Sequence, residues 1–157
     1  MPTPPRDTTL LALLLTLRKI ESLSQSDQAL LFPKLFEVGE QLELDPNDWE
    51  FIFEGLIHII NNHGVFQKLF QTTDTHIQAV NIQIQENLLP TEEEIVQVFK
   101  FPKNIEVYGN DHILLKLNQL PLLKITVKIL KSVNPSIAAK QSHWLNRITK
   151  ILLPLEP

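Results

Sequence analysis

Apolar residues recur along this chain mostly at helical spacing, and turn residues divide it into segments of about helix length. Residues 10–17 (LLALLLTL) are apolar on almost every side, as in a helix buried all round. Asp7 stands where it would cap that helix, which would run to about Ser22. A second helical stretch is expected from about Ser26 to Leu44. In it Leu31, Leu35, Val38 and Leu42 form one stripe, while Glu37, Glu40 and Gln41 face away. Pro33 inside this stretch should kink or restart it, because it brings no N–H and its ring crowds the preceding turn.

Asp45-Pro46-Asn47-Asp48 reads as the next helix start, with Asp45 as cap, Pro46 at the first helical position and Asp48 in the first turn. The helix behind it should reach Asn62, bury Trp49, Ile52, Phe53, Leu56, Ile57 and Ile60, and stop at Gly64. A short helix over 65–71 would follow. Residues 74–89 fit two periods. Val80–Gln85 alternates like a strand, while Ile77, Val80, Ile84 and Leu88 form a helical stripe. Thr91-x-x-Glu94 has the form of a capping box, in which each residue's side chain bonds the other's backbone N–H.

In the second half, Ile105–Leu117 reads as a hairpin turning at Gly109-Asn110, or else Asp111 caps a helix in which Ile113, Leu114, Leu117 and Leu120 share a face. Leu122–Val133 also fits both periods, and its length favours helix. Asn134-Pro135 should cap a final helix from Pro135 to Leu153, closed by Pro154. With only four glycines for tight turns, the expected fold is mainly α, a single-domain bundle of six to eight helices. The alternative is α+β, with a small antiparallel hairpin or sheet within residues 75–130.

The 157 residues, 43% of them apolar, are enough for one core. Opening on Met1-Pro2, the chain reads as a complete small protein. It has no cysteine, so disulfides, thiolate nucleophiles and Cys-ligated zinc are excluded. Residues 10–17 fall well short of the roughly 20 that span a bilayer. With only Arg6 nearby and no cleavage signal, they do not read as a leader. A cytoplasmic protein with no transmembrane segment is expected.

Helix–Leu42-Glu43-Leu44-Asp45-Pro46-Asn47-Asp48-Trp49–helix looks similar to a helical junction in tellurite-resistance TerB-type domains. The likeness covers about 30 residues around that turn. The acidic metal-binding pattern of that family is not evident, so the resemblance carries over no site residue.

Candidate chemistry is sparse. His58 and His63 are five apart and diverge by roughly 140° on a helix, unlike the i, i+4 pairs that hold metals. His76, His112 and His143 are scattered, and Glu92-Glu93-Glu94 reads as charge favourable at a helix start. The glycines are lone residues and form no phosphate loop. These features predict no catalytic residue, no metal and no cofactor.

Dividing the net charge of −4 changes the picture. Residues 1–99 carry fifteen acids and five bases, a balance of −10, while 100–157 carry three acids and nine bases, a balance of +6. On a continuous final helix, Lys140, His143, Arg147 and Lys150 would share about 80° of arc opposite Ile137, Trp144, Ile148 and Leu152. Lys124, Lys128 and Lys131 would cluster within about 60° on the helix before it. Both stripes read as solvated faces or as a binding surface for an acidic protein. The acids would belong to another protein, to a second copy or to this chain's own N-terminal half. The function expected is therefore a non-enzymatic protein–protein interaction module (adaptor, regulator or self-associating unit) using a basic C-terminal face. Weak, sequence-nonspecific nucleic-acid binding is the alternative. The pI near 5.7 and the scarcity of arginine count against it.

Overall fold

The computed structural model describes residues 4–20, 23–79, 89–97 and 121–152. Eight helices lie among them and no strand: α1 Arg6–Leu17, α2 Gln25–Leu44, α3 Trp49–Asn61, α4 Gly64–Ala79, α5 Glu92–Gln97, α6 Pro121–Leu130, α7 Pro135–Gln141 and α8 His143–Leu152. The protein is a mainly helical bundle, as the helical spacing predicts. Residues 121–130 are helical, whereas the strand reading of 80–85 and the hairpin reading of 105–117 fall outside the described residues.

α1 is the central helix. Every residue from Thr9 to Leu17 is buried, because α4, α6 and α7 all pack against it. α2 packs on α6 and α3, α3 on α4, and α5 bridges α6 and α8. One apolar cluster runs through all of them, from Leu10–Leu17 through Leu31, Leu35, Leu56, Phe66 and Ile129 to Trp144 and Ile148.

Several helix ends differ from expectation. α1 begins at Arg6 behind Pro5, so Asp7 lies in the first turn beside Arg6, 3.2 Å from its Nε, and caps nothing. α2 starts at a Ser24 cap whose hydroxyl accepts from the Asp27 N–H, and it continues through Pro33 to Leu44. Asp45 closes α2 instead of opening α3. Pro46 sits in a tight turn there, held by Arg6 Nη1 on its carbonyl at 3.2 Å and by Trp49 Nε1 on the Pro4 carbonyl at 2.8 Å. These long-range bonds tie the N-terminal segment to the α2–α3 junction and move the start of α3 to Trp49. Gly64 opens α4 instead of ending α3, and a single helix covers 64–79.

The expected final helix is two. Asn134 caps α7 as predicted, its Oδ1 accepting from the Ile137 N–H at 3.1 Å. Ser142, at φ −68° and ψ 120°, leaves the helical region, and its hydroxyl accepts from the Leu145 N–H to cap α8.

Candidate functional site

The cations expected to form one basic face are divided between the interior and the surface. Lys124, Lys128 and Lys131 are 6%, 6% and 5% exposed. α6 is covered by α2, α1, α5 and α7 at once, so no side of it is left for a solvated lysine stripe. Lys128 Nζ lies 3.4 Å from the Ile95 carbonyl of α5. Lys131 Nζ donates to Glu43 Oε1 at 2.8 Å and sits 5.4 Å from the centre of the Phe36 ring. Both partners of this ion pair are almost fully buried. Glu43 Oε2 is buried with no hydrogen-bond partner among the described residues.

Arg147 is also engaged inside the molecule. Its Nε and Nη2 donate to the two oxygens of Glu94, each at 2.9 Å, and Nη2 also reaches the Leu89 carbonyl at 3.0 Å. Glu94 closes the predicted capping box as well: its Oε1 accepts from the Thr91 N–H, and Thr91 Oγ1 accepts from the Glu94 N–H. Burial pushes the Glu94 carboxyl up. The bonds from Arg147 and Thr91 outweigh that and hold it below the usual carboxylate value. The bond to Glu94 likewise raises the Arg147 guanidinium against the effect of burial.

Of the other predicted residues, Lys140 is half-buried and His143 and Lys150 are exposed. The break at Ser142 places Lys140 on α7 and the other two on α8, so they do not share the arc of one continuous helix. His58 is exposed, and His63 is half-buried, its Nε2 buried with no partner among the described residues. No group of three metal-ligating side chains occurs among the described residues. His112 lies outside them.

A different feature stands open. On the outer side of α2, two adjoining hollows of about 310 and 500 Å³ form a groove against the α6–α7 turn, Phe32 and Ile137 lining the first and Phe32, Phe36 and Val133 the second. Phe32 and Val133 line both sections. Gln25, Gln28, Ala29 and Asn134 complete the first; Pro33, Glu37, Glu40 and Ser132 complete the second. Val133 is 42% exposed, and Leu30, on the adjoining side of α2, is 61% exposed. The sequence carries a signal for this groove. Phe32 and Phe36 lie i, i+4 beside the Leu31–Leu35 stripe, so α2 has more apolar surface than one buried face uses.

No protein-family model matches the chain, and no curated protein or solved structure matches it significantly. No helix among the described residues is long and apolar enough to cross a membrane.

Proposed function

We propose that this protein is a non-enzymatic protein-interaction module that docks a segment of another protein along the outer face of α2. The observation that carries the proposal is the open groove between Phe32 and Phe36 on one side and Val133 and Ile137 on the other. Exposed apolar surface rimmed by polar groups is the usual mark of a partner site. The expected basic face supports docking less well, because Lys124, Lys128 and Lys131 are buried and Arg147 is held by Glu94. Nucleic-acid binding loses the same phosphate contacts, so the geometry favours the protein reading.

Comparative affinity capture tests it, with wild type, Val133→Asp and Lys150→Glu as baits. Val133→Asp places a charge in the groove, and Lys150→Glu alters the exposed end of α8. Partners lost by Val133→Asp and kept by Lys150→Glu are the expected result. Partners lost only by Lys150→Glu would return the function to the basic helix.

A further inference from the structure

We propose that the groove selects a cationic amphipathic helix, its apolar side chains seated between α2 and the α6–α7 turn and its Lys or Arg residues at the Glu40 end. This rests on the interaction reading above and adds the chemistry and direction of the occupant. The partner is thus basic, where the sequence alone led to an acidic one.

Three observations carry it. The first is the charge of the rim. Glu37 and Glu40 are exposed beside the wider section, and among the described residues neither forms an ion pair and no cation lines either section. The second is the polarity of α2, whose carbonyl end lies at Leu44 with no basic residue in its last turn. The negative end of the helix dipole lies toward Glu40, and Lys131, the cation at that end, is buried against Glu43 and the Phe36 ring, so it leaves the charge of Glu37 and Glu40 at the rim. The third is shape. From Gln25 to Glu40 the groove follows α2 for about 22 Å, four turns of a helix laid alongside it. The apolar positions Phe32 and Phe36 repeat at one turn, matching the i, i+4, i+7 anchors of a docked helix. Charge at the rim fixes orientation and selects against acidic segments, while the apolar floor holds the anchors.

The test is selection from a displayed library of random peptides about sixteen residues long, the length of helix the groove accommodates. Binding to wild type is selected, with counter-selection on Val133→Asp. Enriched peptides should carry apolar residues at helical spacing and Lys or Arg clustered toward one end. The double variant Glu37→Gln/Glu40→Gln, with both changes at exposed positions, should bind them roughly three- to thirtyfold more weakly, as for two rim ion pairs, and with a flatter salt dependence. Groove-dependent peptides that are acidic or uncharged would overturn this inference and leave the interaction reading standing. Failure to find any groove-dependent peptide would sink the interaction reading itself. A concentration-dependent dimer of the wild type that Val133→Asp abolishes would make a second copy the occupant and refute the partner proposed here.

Discussion

A lysine on an amphipathic helix ordinarily keeps its ammonium in water, and at Lys131 the structure shows what is needed to bury one. The ammonium has a carboxylate at 2.8 Å and an aromatic face at 5.4 Å, which together replace part of its lost hydration. The pair is costly to break from one side, because either survivor becomes a buried charge without a counterion. Lys131→Met or Glu43→Leu alone should therefore lower stability by about 3–5 kcal/mol, while the double variant should recover most of that loss. Urea denaturation of the two singles and the double closes the cycle. Single variants that each cost less than about 1 kcal/mol, the worth of a surface pair, would show that the pair does not act as a buried one. Neither partner's role was legible in sequence. Glu43 reads as one more acid on an exposed stripe, and no local pattern says that a residue 88 positions away will meet it.

At the scale of elements, legibility followed locality. The Thr91–Glu94 capping box and the Asn134 cap formed as read, because each is complete within four residues. The continuously apolar stretch of 10–17 was correctly a buried helix. The structure departs from the local pattern where distant contacts intervene. Asp45 loses its capping role where Arg6 and Trp49 tie the α2–α3 turn to the N-terminal segment. The break at Ser142 is an exception, since its bond from the Leu145 N–H is as local as the caps that are legible. The packing of α2 against α6 was equally hidden, and it depends on a residue with no side chain. A methyl group added at Gly39 would stand 2.8 Å from Lys131 Cγ and 3.1 Å from Leu130 Cβ, whereas at Gly55 it would meet nothing within 4 Å. Both glycines are inside helices, so alanine brings the same gain in propensity, roughly 0.5–1 kcal/mol. At Gly55 that gain should appear intact as stabilisation. At Gly39 it should be reversed by overpacking, which costs about 1–3 kcal/mol. Thermal unfolding of the two alanine variants reads the difference directly, and a Gly39→Ala protein as stabilised as Gly55→Ala would disprove the close α2–α6 contact.

For the whole molecule, the split of charge between −10 and +6 is partly resolved inside the fold: Lys131 meets Glu43, and Arg147 meets Glu94. The sequence shows the asymmetry but not where it is used, since a helical wheel gives direction and not what packs there. On the wheel, Arg147 and Lys150 are equivalent exposed cations, both safe to reverse. In the structure they are not. Lys150 is exposed and should tolerate Glu within about 0.5 kcal/mol. Arg147→Glu would instead set two carboxylates against each other and strand the Leu89 carbonyl, so it should destabilise clearly. Acidity provides the check. The Glu94 carboxyl is held below its ordinary value of 4.5 in the folded state, so its ionised form is the one that favours folding. That contribution is complete above the unfolded value and fades as pH falls from about 4.5 toward the lower folded value. The stability gap between wild type and Glu94→Gln should therefore be widest near neutrality and narrow progressively below about pH 4.5. Lys150→Glu should show no comparable narrowing in that window. Melting temperatures of the three proteins from neutral pH down to about pH 3 decide the matter, and a gap between wild type and Glu94→Gln that does not change with pH would mean that Arg147 does not hold Glu94 in its ionised form.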